Sequence, residues 1–410
     1  MGFKLLFFFA LLLIVEVYAY QAFKTLLRGK WMLIGYVIIS ILLFIYIAYS
    51  LMSFDRSVGQ TKQTMFTMGL MLLVFVPKII LALVLFGEDM YRLISGMFRA
   101  AVGDSSEEFL TARRTFVSQI GLGLAAIPFF SLIYGMTIGK YNFKVIRQTI
   151  HFPDLPEEFD GFRITQISDV HSGSFDDPEK ISYAIDLINE QNSDMILFTG
   201  DIVNTHAKEM HPWLETFKRI HKPAYGKYSV LGNHDYGEYV DWKTQKEKDD
   251  NFEAIKSLYG EIDFELLLNE NRFIEKNGQR IALIGVENWG HNFKKVGDIN
   301  KASKGVAQED FKIVMSHDPS HWDYELKRDP KNYHLTLAGH THGMQFGIEI
   351  PGYFKWSLAQ YIYPQWAGLY ETLGCYVYVN RGFGFHAYPG RVGIMPEITV
   401  IELKKGEKVS

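Results

Sequence analysis

The chain has 410 residues and a formal net charge of −4, so its overall balance carries no basic footprint for nucleic acid. A single cysteine, Cys375, excludes an intrachain disulfide; this fits a cytosolic domain without excluding an extracytoplasmic one. Composition divides the chain: residues 1–139 are strongly apolar, and the remainder reads as a mixed globular domain, with no internal repeat and no long low-complexity tract.

The apolar third predicts four spanning helices near residues 3–20, 31–53, 65–86 and 116–138. Each is close to the ~20 residues that cross a hydrocarbon core. Buried core helices are the competing reading, but four such runs in succession would need a large soluble core around them. A signal peptide is the alternative for the first run, against which stand the lack of a convincing small-residue cleavage site and the interruption of its end by Glu16. Orientation follows from basic residues in the loops. Lys24, Arg28, Lys30, Arg92, Arg99, Arg113 and Arg114 lie on one side, against Lys4, Arg56, Lys62, Lys140, Lys144 and Arg147 on the other. This thin margin, seven against six, places both termini and the catalytic part on the outer side of a bacterial cytoplasmic membrane. Glu16 and Lys78, the latter after Pro77, fall at similar depths in parallel helices. A lone ion there is costly, so the two are expected to pair, with separate snorkelling as the alternative.

Residues 140–161 form a connector, and the alternation of Tyr141, Phe143, Val145, Arg147 and Thr149 predicts an edge strand. A buried strand over Phe162–Ile167 comes next, running into Ser168-Asp169-Val170-His171. If strand geometry holds to its end, Asp169 and His171 share a face and can grip one ion. A helix is predicted over 178–191, a strand over Asp194–Phe198 ending in Gly200-Asp201, and a helix near 207–221. Tyr228–Leu231 is a strand ending in Gly232-Asn233-His234-Asp235, and residues 240–260 are polar and helical. Asn277-Gly278 between two strand-like runs signals a tight hairpin. Phe311–Ser316 leads to His317, and His334–Ala338 leads to Gly339-His340-Thr341-His342-Gly343. Tail strands are predicted near 345–350, 375–380 and 396–403. Mixed strands and helices, then mostly strands, predict an α/β domain with two packed sheets.

Strand ends thus present Asp169, His171, Asp201, Asn233, His317, His340 and His342. Carboxylate, imidazole and amide oxygen are donors for divalent first-row metals. These donors exceed what one ion needs, and two ions sharing a bridging carboxylate would use them all. A lone Gly-Asp is usually a turn and a lone histidine usually structural. It is the ordered recurrence after apolar strands that points to a metal centre.

Asp-x-His, Gly-Asp, Gly-Asn-His-Asp, a downstream His and Gly-His-x-His resemble the signature of calcineurin-like metallophosphoesterases. All five blocks fall within residues 162–343. The tail resembles the membrane-associated bacterial branch, which includes phosphodiesterases and UDP-2,3-diacylglucosamine pyrophosphatases. It carries Tyr378-Val379-Asn380-Arg381-Gly382-Phe383-Gly384 and Pro396-Glu397-Ile398-Thr399. The resemblance implies a four-layer αββα sandwich over 162–410, with the four-helix region outside the shared fold. It implies that Asp169, His171 and His342 hold one divalent ion, that Asn233, His317 and His340 hold a second, and that Asp201 bridges them. The ions would be Mn, Fe, Zn or Mg. His234 would protonate the leaving oxygen or offset developing charge, and Asp235 would orient it. Met344 departs from the branch, which often has glycine after Gly343.

The expected activity is hydrolysis of a phosphodiester or pyrophosphate, lipid-linked as one option, by a hydroxide bridging the ions. The expected partners are that phosphate ester and membrane lipids, and no obligate protein partner is expected. Two other functions compete: a membrane sensor or scaffold whose phosphoesterase-like domain only binds ligand, and a transport unit fused to an enzyme. His206 and His386 are weaker candidates for lining the cleft, and Arg381 is a candidate anion contact or a structural turn. The aromatic run from Tyr353 to Tyr370 fits a membrane interface, an apolar ligand or core.

Overall fold

The structure is a computed structural model that describes residues 2–27, 29–102, 111–350 and 352–407. Arg28, counted in the charge bias, lies outside the described residues. The chain forms two compact units, Met1–Phe54 with Gln63–Met136, and Asp55–Lys62 with Thr137–Ser410. The short segment between the second and third helices therefore belongs to the second unit.

The first unit holds α1 (Gly2–Leu26), α2 (Lys30–Met52), α3 (Lys62–Val102) and α4 (Thr111–Thr137). All four are long and apolar enough to cross a membrane. Small residues let the helices close: Ala19, Ala22 and Ala125 pack with Leu81 and Leu85. Glu16 and Lys78 do meet, with Lys78 Nζ 2.8 Å from both carboxylate oxygens. The Tyr36 hydroxyl donates to Glu16 at 3.1 Å, and Lys78 also reaches Ser40 Oγ at 3.2 Å. Four polar groups thus satisfy one another where lipid offers no partner.

The second unit is built on two six-stranded sheets. The first contains, in spatial order, β1 (Lys144–Phe152), β14 (Glu397–Lys405), β2 (Arg163–Ile167), β3 (Met195–Phe198), β4 (Lys227–Ser229) and β5 (Glu265–Leu266). The second contains β12 (Gly368–Thr372), β13 (Cys375–Val379), β9 (Leu335–Ala338), β8 (Phe311–Met315), β7 (Gln279–Gly285) and β6 (Glu270–Lys276). β2, β3 and β4 run parallel, as do β7, β8 and β9. Alternate residues of the two sheets interdigitate: Ile164, Met195 and Leu197 pack in one core with Ile313, Met315, Leu335 and Leu337. Both faces of these central strands are buried, which is why they read as continuous apolar runs.

Helices cover the outer faces, completing the αββα layering. α5 (Pro178–Asn189) is the crossover between parallel β2 and β3 and buries Ile181, Ala184, Ile185 and Ile188. Asp177 caps it by accepting from the Glu179 and Lys180 amides at 3.1 Å, with Pro178 in the first turn. α7 (Gln245–Glu261) packs Tyr259 against Phe198, with ring centres 5.3 Å apart. The long helix expected near 207–221 is not formed. Two 3₁₀ turns, Ala207–Glu209 and His211–Trp213, precede a short α6 (Leu214–Phe217), because Pro212 interrupts the run. The hairpin at Asn277-Gly278 forms with positive φ at both residues, 49° and 83°. A second hairpin, β10 (Gly347–Ile350) with β11 (Phe354–Ser357), stands apart from both sheets.

Candidate metal centre

Every donor lies just past the C-terminal end of a parallel strand. Asp169 and His171 come after β2, Asp201 after β3, and Asn233 and His234 after β4. His317 comes after β8, and His340 and His342 after β9. Parallel strands end side by side, so loops far apart in the chain open into one crevice.

The shared-face expectation for Asp169 and His171 does not hold, because β2 stops at Ile167. Instead the backbone turns left-handed at Asp169 (φ 55°), His171 (48°), Asp201 (62°), His340 (70°) and His342 (49°). Such conformations cost non-glycine residues of order 1–3 kcal/mol each and cluster at functional sites. Neighbouring glycines make room: a Cβ at Gly232 would run into the Asp201 carboxylate, and one at Gly339 into Ser168 and Asp169.

The turns bring the side chains together. Asp169, His171 and His342 form one trio, and Asp201, His317 and His340 another, with donor atoms in each trio within 4.8 Å of one another. Asp201, His171 and His234 make a third trio on the same terms. His342 Nε2 lies 3.2 Å from Asp169 Oδ1 and 3.0 Å from His171 Nε2. Asp201 Oδ2 lies 3.1 Å from His317 Nε2 and 3.7 Å from His171 Nε2.

The donor set fits cations. His317 Nδ1 donates to the Thr199 carbonyl at 2.6 Å, which leaves Nε2 facing the Asp201 carboxylate with no hydrogen bond among the described residues. Asn233 Nδ2 donates to the Tyr239 hydroxyl at 2.6 Å, while its buried Oδ1 has no hydrogen-bond partner among the described residues. His340 Nε2 is taken by the Tyr363 hydroxyl at 2.8 Å, leaving Nδ1 for the crevice. Outer partners of this kind hold ligand rings in place. Burial first, and neighbouring imidazoles next, push His171 well below its usual range. Burial lowers His340 as well, so both rings are neutral, the form that binds metal. Burial works against charge on His317 too, yet Asp201 and Asp169 push it up to about 10. Burial likewise opposes charge on Asp169, but His342 and His317 hold it well below the usual carboxylate range. This pocket draws positive charge.

Asp235 corrects one expectation. Its carboxylate accepts from the amides of Asp201 (3.0 Å), Ile202 (3.0 Å) and Gly232 (2.9 Å) and from the Tyr259 hydroxyl (2.8 Å). It therefore ties two strand ends together rather than touching the His234 ring. Burial, then Asp201, pushes it up to about 7. The group on His234 Nδ1 is the Asn204 carbonyl, at 2.7 Å.

The weaker candidates separate. His386 joins the site, its ring 4.5 Å from His234 and 5.0 Å from His171. His206 lies elsewhere, with Nε2 3.3 Å from the Val58 carbonyl. Arg381 is structural, bound to Glu397 and Glu349 at 2.6 and 2.9 Å. The roles of Asn204 on His234, of Tyr363 on His340 and of Arg391, whose Nη2 lies 3.1 Å from His342 Nδ1, carry no local signal, because each acts on a histidine that only folding brings near.

Residues 3–140 match the family described as probable calcineurin-like phosphoesterase, transmembrane domain. Residues 162–344 match calcineurin-like phosphoesterase. Over 274 residues the chain is 30% identical to the uncharacterized metallophosphoesterase YkuE of Bacillus subtilis, covering 66% of this chain and 89% of that protein. It is 28% identical over 288 residues to a Danio rerio transmembrane protein with metallophosphoesterase domain, covering 67% of this chain but only 60% of that longer relative. A partial structural likeness, TM-score 0.36 at 15% identity, extends to Haemophilus influenzae NAD nucleotidase over 54% of this chain and 45% of that one. By these matches the chain belongs to the calcineurin-like metallophosphoesterases, as a membrane protein that carries four spanning helices ahead of its phosphoesterase domain.

Proposed function

We propose that the protein is a dinuclear metal-dependent hydrolase of phosphodiester or pyrophosphate bonds, with a lipid-linked substrate. One observation carries this reading: Asp201 belongs to two of the donor trios, in reach of His171 in one and of His317 in the other. Asp169, His171 and His342 would hold one ion, Asn233, His317 and His340 the second, and Asp201 would serve both. Dications held there would supply a water of lowered pKa and draw charge from the phosphoryl oxygens.

The chain's own residues supply the rest. With Nδ1–H given to the Asn204 carbonyl, His234 offers Nε2 to the leaving oxygen. To donate there it must carry its second proton, and the negative charge of a bound phosphate supports that form. Tyr239 stacks on the ring at 4.3 Å and keeps it in that plane. Asp235 fixes the backbone that carries Asp201 and Asn233, which keeps the two sides of the site in register.

The test is turnover of bis-p-nitrophenyl phosphate by the detergent-solubilised full chain with Mn²⁺, Fe²⁺, Zn²⁺ or Mg²⁺. Folded protein inactive with all four metals overturns the reading. Asp201→Asn that retains full function in cells would instead favour a ligand-binding scaffold. The loop charges support an outward-facing catalytic unit in a bacterial cytoplasmic membrane, which favours envelope phosphodiesters over nucleotide-linked lipids. A topology reporter fused after residue 150 and found inside the cell overturns that placement.

A further inference from the structure

The β10–β11 hairpin has the wrong face outward for a surface in water. Alternate strand residues point to opposite faces. Glu349 and Lys355 are cross-strand partners, and both are tied to the domain. Glu349 accepts from Arg381 Nε at 2.9 Å, and Lys355 Nζ donates to the Ala367 carbonyl at 2.6 Å and the Tyr370 hydroxyl at 3.0 Å. The opposite face pairs Ile348 with Trp356 and Ile350 with Phe354. There Ile348 is 56% exposed, and Ile350 and Phe354 are each 53% exposed. Tyr353, at the turn, is 91% exposed, and Tyr361, in the 3₁₀ turn after β11, is 73% exposed. Scattered exposed apolar side chains are ordinary, but a paired set on one small hairpin marks an interaction surface.

We infer that this hairpin face, with Tyr353 and Tyr361, rests in the interface of the membrane that the four helices span. Its composition is that of an interfacial anchor, with aliphatic residues flanked by tyrosine and tryptophan. Its charged residues are turned inward and satisfied, so the face lacks the polar rim that a protein-binding surface keeps. The hairpin is also rooted beside a segment that comes from the membrane. Gln345, just before β10, accepts from the His386 amide at 2.6 Å. The adjoining Ala387 amide donates to Gln60 at 2.9 Å. Gln60 lies in Asp55–Lys62, which joins two spanning helices yet belongs to the catalytic unit. One stretch, His386–Ala387, thus holds both the hairpin root and a segment whose two ends enter lipid.

The experiment uses the full chain in phosphatidylethanolamine–phosphatidylglycerol vesicles, in a Cys375→Ala background. An environment-sensitive fluorophore is placed at Tyr353→Cys, Tyr361→Cys or, as the exposed control, Lys246→Cys. These positions are open, so the labels leave the packing intact. The expected result is blue-shifted emission at 353 and 361 that lipid-borne nitroxides quench. Quenchers near the headgroup should act more strongly than those at the chain end, as fits insertion by about 5–10 Å. Emission at 353 and 361 that matches Lys246→Cys and is quenched by aqueous iodide overturns the inference. Blue-shifted emission that lipid nitroxides do not quench, with a disulfide between Tyr353→Cys in two copies, assigns the face to self-association and also overturns it.

Discussion

Five donors hold left-handed backbone, and that cost is sustained only because both sheets and the Asp235 bonds over-determine it. Asp201→Asn is expected to lower bound metal toward one ion per chain, read by elemental analysis of the purified protein, because the carboxylate proposed to serve both ions loses its charge. His234→Asn is expected to keep its metal and lose about 10²–10⁴-fold in kcat, which separates proton transfer from metal binding. Met344 makes a different case. Its φ of 49° is a left-handed conformation that glycine adopts at no steric cost. Met344→Gly relieves left-handed strain of about 1–2 kcal/mol and adds back about 0.5–1 kcal/mol of chain entropy. The midpoint of denaturant unfolding is therefore expected to rise modestly.

Among the elements, α1 and α3 are joined by the Glu16–Lys78 pair, whose side chains are largely shielded. Removing one partner leaves an uncompensated charge, whereas removing both does not. In a double-mutant cycle, Glu16→Gln with Lys78→Met is expected to cost less than the sum of the singles by about 0.5–3 kcal/mol, measured by unfolding in detergent. Strict additivity would show that the pair contributes nothing as a pair. The parallel strands have a different role. Short and buried on both faces, they position the donor loops at their C-terminal ends, and their own side chains take no part in the chemistry. Pro212 illustrates the limits of reading periodicity, since apolar spacing over 207–221 favours a helix that one proline breaks.

On the scale of the whole molecule, the candidate metal centre is a joint between two sheets, with Asp169 and Asp201 from one and His317, His340 and His342 from the other. Ions held there stabilise the folded state by mass action, about 2.7 kcal/mol per site at a metal concentration of about 100 Kd. Chelation is therefore expected to lower the thermal midpoint of the catalytic unit, and added Mn²⁺ to restore it. An unchanged midpoint in chelator, with metal loss verified, would show that the ions do not bridge the sheets.

Much of this was legible along the chain, for a local reason. Spanning helices, buried strands and the donors at strand ends are properties of short stretches, set by hydrophobic periodicity and residue chemistry, and they can be read before anything folds. The features that could not be read depend on contacts across great sequence separation. Asn204 lies 30 positions from the His234 ring it holds, and Tyr363 lies 23 from His340; only the family resemblance pointed to the meeting of His171 and His342 across 171 positions. The left-handed turns, the true partners of Asp235 and the outward face of the β10–β11 hairpin were likewise decided only by tertiary packing. Backbone strain and side-chain direction are set by what the rest of the fold presses against them, and no local pattern encodes that pressure.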